Sequence, residues 1–412
     1  MRRTADLVVV GGGIIGSSIA LQLAVHDAGS IVLVDKGAGP GEGSTGSSSS
    51  ITRCRYTYPE VIRLAHHGQR AFANWQEFTG IASPRAGLVT TGILWMMAES
   101  LSKTTGDVGR LRAEGVTAEV LDATEVLARF PMLATCGEVV DFSGEVDHVC
   151  VPGESFLYEP TAGYVDPVAA NQDLLEGARA LGVATEFSSE VVGLEARNGR
   201  VEGVVLGHGD VISAGLVMNA AGPWCNALNA MAGWDHRWTL TPTRIQTVYR
   251  DWPEDLGRIP GGADSSTGIY FRPDSAWRRI MVGSVREEDE MEVVDDPDHF
   301  KRSPDAAFTE RALASLHHRV PGLEPRGGVS GIAGLYTINR EDVHPIVGPS
   351  GVDGFWVANG FSGHGFKLAP SIGSLVAQAV TGRTVADDTD VPIDFFSADR
   401  EPIALDVKHV LA

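Results

Sequence analysis

The sequence predicts an α/β protein with two domains, and three observations support this prediction. Short apolar runs rich in β-branched residues, which are typical of buried strands, alternate with segments of helical apolar spacing. The chain has 412 residues, more than one ordinary hydrophobic core accommodates. The composition changes along the chain, because residues 226–327 combine several tryptophans with short strand-like runs and differ from the glycine-rich opening.

The opening forms a strand, glycine turn, helix and second strand in direct succession. Leu7 to Val10 is followed by residues 11–16, which fit G-x-G-x-x-G, and then by a helical pattern over 17–26. The second strand, Ile31 to Val34, ends at Asp35. In this motif the glycines allow a tight turn, close approach of a pyrophosphate and close packing of the helix, and the acid accepts hydrogen bonds from ribose hydroxyls. The order of these parts predicts a dinucleotide site; the alternative is a glycine-rich turn that binds nothing.

Charge and cysteine content exclude several functions. The net charge of −20 argues against a nucleic-acid-binding surface, and an anionic substrate would need a local cluster of cations. The four cysteines are scattered and form no C-x-x-C pair, which argues against a zinc ribbon or a dithiol site, and we predict no metal site. The cysteines are Cys54, Cys136, Cys150 and Cys225.

The location of the protein is also predicted from the sequence. No apolar stretch reaches membrane-spanning length, and Met1 runs almost directly into the first strand without a separate signal segment. Few cysteines in a large chain suit a reducing compartment. We therefore expect a cytoplasmic protein without a membrane or nucleic-acid partner.

Beyond Asp35 the spacing predicts further elements. The Gly/Ser-rich residues 37–50 are interpreted as an ordered cofactor loop, with a flexible linker as the alternative. Asn198-Gly199 predicts a hairpin turn. Helices are predicted over 61–78, 101–114, 123–129, 168–181, 307–318 and 370–381, and strands over 87–97, 190–196, 201–206, 215–222 and 354–360.

Three later motifs carry a resemblance to a known family. They are I-T-R-C-R-Y at 51–56, V-M-N-A-A-G-P-W at 217–224 and G-F-S-G-H-G-F-K at 360–367. With the opening fingerprint, they resemble the D-amino-acid oxidase superfamily of flavoproteins, and within it the sarcosine oxidases and dimethylglycine dehydrogenases. The resemblance covers essentially the whole chain.

The family implies a discontinuous fold and a reaction. A glutathione-reductase-like, Rossmann-type FAD-binding domain would be assembled from residues 1–84, 155–225 and 328–412. A mixed-sheet substrate domain would be interleaved as residues 85–154 and 226–327. The implied activity is oxidation of a C–N bond beside a carboxylate.

Four residues are predicted to act on the substrate. By resemblance, Arg53 and Lys367 fall on the family's carboxylate-binding cations, and Arg and Lys are suited to that role as a bidentate fork and a point charge. The alternative is two solvated surface cations. Tyr270 is predicted as a pocket wall or an ordinary strand aromatic. His364 is predicted as a site residue or a packed core histidine.

The predicted FAD contacts come from the fingerprint, the serine-rich loop and the later motifs. These residues are Gly11, Gly13, Ile14, Ile15, Gly16, Asp35, Lys36, Ser44, Thr45, Ser48, Ser49, Val191, Ala221, Gly222, Trp224, Gly334, Gly360, Gly363, His364, Gly365, Phe366 and Lys367.

Departures from the family pattern predict how FAD is held. Monomeric sarcosine oxidases attach FAD through a cysteine, and the matching position here is Gly334. Dimethylglycine dehydrogenases use a histidine in the early loop, and residues 44–48 contain none. Non-covalent FAD is therefore predicted, with attachment at Cys54 as the lesser alternative.

A further departure concerns the electron acceptor. The lysine that activates O₂ in sarcosine oxidases corresponds to Met281. Either Arg278 or Arg272 replaces that charge, or O₂ is a poor acceptor, and we favour the second.

The predicted reaction is hydride transfer from a small carboxylate-bearing amine, secondary or N-methylated, to flavin N5, followed by imine hydrolysis. The electron acceptor is O₂ or an unknown compound, and no oligomeric state is predicted. The alternatives are a 2-hydroxy acid or glycerol-3-phosphate as substrate, or a non-catalytic flavin-binding subunit.

Overall fold

A computed structural model describes residues 1–142 and 147–405. Residues 143–146, inside the predicted segment 85–154, and residues 406–412, at the end of the predicted segment 328–412, lie outside the described residues. The helices are α1 (Ile14–Val25), α2 (Pro59–Ala73), α3 (Trp75–Thr79), α4 (Leu101–Ala113), α5 (Ala123–Arg129), α6 (Pro167–Ala180), α7 (Cys225–Met231), α8 (Ala306–Arg319) and α9 (Gly365–Thr381). The strands are β1 (Arg2–Val10), β2 (Ile31–Val34), β3 (Ile51–Thr52), β4 (Val89–Thr90), β5 (Ile93–Met96), β6 (Glu119–Leu121), β7 (Phe156–Glu159), β8 (Gly163–Tyr164), β9 (Ala184–Glu186), β10 (Val191–Arg197), β11 (Arg200–Leu206), β12 (Val211–Asn219), β13 (Leu240–Asp251), β14 (Gly261–Asp264), β15 (Ile269–Pro273), β16 (Arg279–Ser284), β17 (Val329–Asn339), β18 (Ile346–Pro349) and β19 (Phe355–Asn359).

The first sheet carries the dinucleotide motif. Its order is β10-β11-β12-β1-β2-β9, and β19 pairs with β12 and with β18. Strand β1 runs parallel to both β2 and β12, and β12 runs parallel to β19. The apolar runs Leu7–Val10 and Ile31–Val34 are buried, as expected for parallel strands covered on both faces. The carboxyl ends of these four strands therefore meet at one edge, where open α/β sheets bind ligands.

Helix α1 lies between α9 and α6. A Cβ at Gly373 of α9 would lie 2.6 Å from Ser18 Oγ, so only glycine permits this approach. The Ser18 hydroxyl donates to the carbonyl of Ala369 at 2.7 Å. On the other side, the Asn171 amide donates to Gly12 O at 2.9 Å. The amino-terminal turn is thus held by two helices from distant parts of the chain.

The second sheet has the order β17-β13-β16-β15-β14-β5-β7-β6. Alternate residues face opposite sides, so Phe271 and Ile280 pack into the core that includes Phe308 of α8. Tyr270 and Met281 point the other way, into the core shared with α1 and α9. A third, small sheet has the order β3-β8-β4, and its strands come from segments of the chain that connect the two large sheets. The predicted α/β class with mixed sheets is confirmed.

Several predicted boundaries change in the structure. Strands β7 and β17 pair within the second sheet, and the domain boundaries at 155 and 328 stay a prediction. The predicted helix 61–78 is interrupted at Asn74, whose backbone leaves the helical region. The predicted strand 87–97 is two short strands, β4 and β5.

The prediction that the last helix begins at Pro370 was wrong, because α9 begins at Gly365 and contains Pro370 in its second turn. The proline removes one hydrogen bond to the carbonyl of Phe366, but it does not end the helix. This difference places Lys367 inside the first turn of α9. Among the helices of residues 1–142 and 147–405, none combines the length and apolar character that crossing a bilayer requires.

Candidate active site

A cavity of about 470 Å³ lies at the carboxyl edge of the first sheet. Its volume is in the range of ligand and cofactor sites. Most of the predicted FAD contacts line it, namely Gly11, Gly13, Ile14, Ile15, Asp35, Lys36, Ser44, Thr45, Ser48, Val191, Ala221, Gly222, Trp224, Gly360, Gly363, Gly365 and Phe366. The wall also contains residues that sequence reasoning missed, among them Leu335, Tyr336, Thr337, Phe361 and Arg302.

The glycine turn has no room for side chains. Gly11 has φ of +113°, and a Cβ there would lie 2.3 Å from Ala220 O. A Cβ at Gly16 would lie 1.9 Å from Gly11 O. Helix α1 begins after Gly13, which provides no side-chain cap, and the hydroxyl of Thr45 accepts from Ile14 N at 3.0 Å. This glycine turn and helix start fit a diphosphate, whose charge the backbone N–H groups and helix dipole stabilise.

Asp35 lies at one end of the cavity. Its carboxylate accepts from Gly12 N at 2.6 Å and from Gly37 N at 2.7 Å. Burial raises the pKa of Asp35, and these two hydrogen bonds oppose the rise. The carboxylate is thereby fixed in position with lone pairs left for further donors, as ribose recognition requires.

Lys36 and Trp224 form the adjoining wall. The Lys36 ammonium lies 2.7 Å from an Asp298 carboxylate oxygen and 4.4 Å from the centre of the Trp224 ring. The Trp224 indole N–H also donates to Asp298, at 3.1 Å. Asp298 was not predicted from the sequence, because it lies far from both partners in the chain.

Seven predicted residues are not among those that line the cavity: Arg53, Lys367, Tyr270, His364, Gly16, Ser49 and Gly334. Gly334 faces the serine-rich loop, because a Cβ there would lie 2.4 Å from Ser47 Cβ. The three residues that follow Gly334 do line the cavity, namely Leu335, Tyr336 and Thr337.

Arg53 and Lys367 are buried next to each other. Lys367 donates to Gly363 O at 3.4 Å, and its pKa is lowered well below the usual lysine value by burial and by the charge of Arg53. The Arg53 guanidinium lies 4.1 Å from the centre of the Tyr56 ring and 5.2 Å from that of Trp95. It also donates to the carbonyl of Arg55. The structure therefore brings the two predicted cations together.

Glu159 lies beneath the Arg53 loop and was not predicted. Its buried carboxylate accepts from Cys54 N at 2.7 Å, from Arg55 N at 3.3 Å and from the Trp95 indole at 2.9 Å. Burial raises its pKa, and these hydrogen bonds and the charge of Arg53 oppose the rise. Glu159 thus holds the loop and the indole against which Arg53 packs. An acid ending the apolar run 156–158 was the available signal.

His364 immediately precedes α9 and contacts Tyr56. The Tyr56 hydroxyl lies 2.9 Å from His364 Nδ1, and both residues are buried. Burial raises the pKa of Tyr56 to about 12, so its hydroxyl stays protonated at neutral pH. Tyr56 therefore links the predicted histidine to Arg53.

Tyr270 belongs to a group of tyrosines on the second sheet. Burial raises its pKa to about 12, and its hydroxyl interacts with Ser49 and Tyr336. Tyr336 lines the cavity, and a Cβ at Gly363 would lie 2.6 Å from its ring. Tyr270 is therefore one residue removed from the cavity wall and supports Tyr336.

Met281 lies in β16 opposite Arg272 of β15. Arg272 is buried, donates to Ser49 O at 2.7 Å and lies 4.0 Å from the centre of the Tyr164 ring. Arg278 is exposed. Of the two cations considered as replacements for the lysine, Arg272 is the one beside Met281.

The comparisons with known proteins agree with this geometry. Residues 6–379 match the family described as DAO, FAD dependent oxidoreductase. Glycine oxidase of Pseudomonas putida is 28% identical over 92% of this chain and 94% of its own. Mitochondrial dimethylglycine dehydrogenase of Homo sapiens is 24% identical over 90% of this chain and 42% of its own.

Similarity at the level of structure extends over the same length. The crystal structure of L-proline dehydrogenase from P. horikoshii has a TM-score of 0.80 with 23% identity, covering 97% of this chain and 98% of that one. This likeness concerns the fold. The predicted family membership is confirmed by the match over residues 6–379, and the chain belongs to the DAO family of FAD dependent oxidoreductases.

Proposed function

We propose that this chain oxidises the C–N bond of a small amino acid that is secondary or N-methylated. We also propose that Arg53 and Lys367 bind the substrate carboxylate. The observation that carries the proposal is this buried pair of like charges. In the described part of the chain, Lys367 has one hydrogen bond, to Gly363 O, and no ion pair.

An anionic group between these cations would resolve their repulsion. Burial and a neighbouring positive charge both disfavour the ammonium form of Lys367. A carboxylate that accepts from Lys367 and Arg53 would favour that form and would itself be bound by charge-assisted hydrogen bonds. Glu159 interacts with the charge of Arg53, but among residues 1–142 and 147–405 it makes no hydrogen bond or ion pair with Lys367, whose hydrogen bond goes to Gly363 O.

The residues around the cation pair would position the substrate. Arg53 is backed by the rings of Tyr56 and Trp95, which keep its guanidinium plane in one orientation. Tyr336, supported by Tyr270, supplies an aromatic wall of the cavity and excludes water there. When bound, FAD would supply the two-electron oxidation of the substrate. Orientation of the reacting carbon is the contribution of the protein.

The relatives support an amino acid as substrate. Glycine oxidase and dimethylglycine dehydrogenase are named for small amino acids, and the first is similar to this chain over nearly its whole length. The chain spans about two fifths of dimethylglycine dehydrogenase, so that protein's complete activity is not carried over.

An anaerobic screen tests the proposal. Purified holoenzyme is mixed with amino acids, their N-methyl derivatives, matched 2-hydroxy acids and glycerol-3-phosphate, and loss of flavin absorbance is recorded. We expect bleaching by a small amino acid and none by its decarboxylated amine at equal concentration. Bleaching only by a hydroxy acid or by glycerol-3-phosphate would overturn the substrate class. A flavin that no compound reduces would favour a non-catalytic subunit.

A further inference from the structure

A cluster of metal-binding side chains lies outside the cofactor cavity. Cys136, His148 and His318 each offer a sulfur or nitrogen atom, and these three atoms lie within 4.8 Å of one another. The Cys136 thiol lies 3.3 Å from His148 Nε2. The rings of His148 and His318 meet edge to face, with their centres 4.8 Å apart. The residues that line the cavity include none of the three.

A second thiol belongs to the cluster. The side chain of Cys150 interacts with that of Cys136. The exposed Cys150 thiol therefore adjoins the group of Cys136, His148 and His318 through Cys136. The sequence predicted no metal site because these residues do not form a C-x-x-C pair, and because His318 lies far along the chain.

Buried contacts hold Cys136 next to His318. Arg319, the neighbour of His318 at the end of α8, donates to the carbonyls of Ala134 and Cys136. The same guanidinium forms a fully buried ion pair with Asp264, at 2.7 Å. One buried arginine thus holds the Cys136 backbone against the helix end that carries His318.

The segment that follows Cys150 pairs through its backbone with the segment around Cys136. Cys136 and Pro152 form an antiparallel bridge, and Gly137 N donates to Val151 O at 2.8 Å. His318 Nε2 is enclosed and has no hydrogen-bond partner among residues 1–142 and 147–405. Enclosed polar atoms ordinarily have a partner. His317 Nε2 is also enclosed and unpartnered in the described residues, but only His318 adjoins a thiol and a second imidazole that could share a ligand with it.

We propose that Cys136, His148, Cys150 and His318 bind one divalent transition-metal ion of the Zn²⁺ class. Two thiolates and two imidazoles are a common tetrahedral donor set for Zn²⁺, and they suit Mg²⁺ or Ca²⁺ poorly. Bond lengths of about 2.3 Å to sulfur and 2.0 Å to nitrogen place these atoms about 3.5 Å apart in a tetrahedron. The separation between Cys136 Sγ and His148 Nε2 is close to that value.

The site would act as a clamp in the substrate domain. It would join the segment around residues 134–153 to the end of α8 through its own ligands, in addition to Arg319. Since all four protein ligands fill a tetrahedral shell, no open position is left for a substrate. The metal would therefore stabilise the fold and would not enter the redox reaction.

Co²⁺ titration of the reduced, FAD-containing protein tests the site. Thiolate-bound tetrahedral Co²⁺ absorbs at longer wavelengths than the flavin, so the two signals separate. We expect one Co²⁺ per chain, displaced by Zn²⁺. Cys136→Ser and His318→Gln should each lower the affinity for Zn²⁺ by more than the roughly 10- to 100-fold that loss of an outer-shell partner causes.

Matched controls separate ligation from general damage. His317 is adjacent on the same helix but outside the cluster, so His317→Gln should bind Co²⁺ like the parent. Cys225→Ser removes the buried thiol at the start of α7, which belongs to a different core from the cluster, and should do likewise. FAD content reports folding of each variant. Zn²⁺ should raise the Tm of the parent and not that of His318→Gln.

Two results would overturn the proposal. One is a reduced, folded parent protein that gives no thiolate–Co²⁺ absorption at any Co²⁺ concentration that leaves it soluble. The other is equal binding by the parent, Cys136→Ser and His318→Gln. A Cys136–Cys150 disulfide in peptide maps, together with no metal binding after reduction, would assign the thiols to a redox pair instead.

Discussion

The Tyr56 hydroxyl lies 2.9 Å from His364 Nδ1, and the ring of the same tyrosine lies 4.1 Å from the Arg53 guanidinium. One buried side chain therefore joins the residue preceding α9 to the loop that follows β3. The contact with Arg53 is local in sequence, whereas the contact with His364 joins residues 308 positions apart. The position of Arg53 is therefore coupled to the packing of α9, the helix that carries Lys367.

Tyr56→Phe should reduce kcat/KM modestly. The ring that supports Arg53 remains, and only one buried hydrogen bond is lost, which costs about 1 kcal/mol, or roughly fivefold. Tyr56→Leu removes the ring as well and should cost more. Steady-state kinetics of the two variants check this order, and equal losses would show that the ring contributes nothing to Arg53.

Arg53→Ala or Lys367→Ala should lower kcat/KM by about 2–3 kcal/mol, as expected when a charged partner is left unpaired. The comparison uses an amino acid and the matching amine without a carboxylate. The amine should lose much less from either substitution. If both substrates lose equally, the two cations are structural and the proposed carboxylate site is wrong.

As pH rises, kcat/KM should begin to fall at a lower pH than the usual pKa of lysine would predict. The carboxylate needs protonated Lys367, whose pKa in the free enzyme is lowered by burial and by Arg53. Activity therefore falls as pH rises through that lowered pKa, well before lysine ordinarily loses its proton. Lys367→Arg keeps its charge and should move this decline to higher pH. Superimposable profiles would assign the decline to another group.

Acid precipitation should release all of the flavin into the supernatant. Gly334 provides no sulfur for a thioether, and the adjoining loop residues 44–48 contain no histidine. Flavin absorbance of the supernatant and of the redissolved pellet measures how much flavin is in each fraction. Flavin that stays with the pellet would disprove the prediction, and peptide mapping would then examine Cys54.

Met281→Lys should speed reoxidation of the reduced flavin by O₂. A methionine provides packing but no charge to stabilise the superoxide that forms, so the parent should reduce artificial dyes faster than it reduces O₂. Met281→Leu, which keeps the packing, is the matched control. Stopped-flow mixing with air-saturated buffer gives the rates, and rapid reoxidation of the parent would contradict the prediction.

The opening unit could be predicted from the sequence because its signals are local. Apolar runs, glycine spacing and the terminal acid all act within residues 7–35, and the structure places β1, α1 and β2 there. The Asn198-Gly199 hairpin is similar, since both residues adopt positive φ. Short-range sterics determine such elements.

The surroundings of Arg53 and Lys367 could be predicted only in part. Arg53 and Lys367 were named through family motifs, and Tyr56 lies in the same motif as Arg53. The support from Glu159 and the contact of Tyr56 with His364 act across the fold and leave no periodic signal. The start of α9 was misplaced because proline statistics favour the first turn, whereas packing against α1 extends the helix before Pro370. Tertiary contacts overrode local preference.

The contact between Ser18 and Gly373 sets a limit on when the protein can acquire its cofactor during synthesis. The glycine turn is synthesised before α9, but its helix packs on this segment, which ends at Thr381. The turn therefore lacks this support until residues 365–381 have been translated. We expect FAD loading to follow the synthesis of α9, and a chain truncated before residue 365 to retain the flavin poorly.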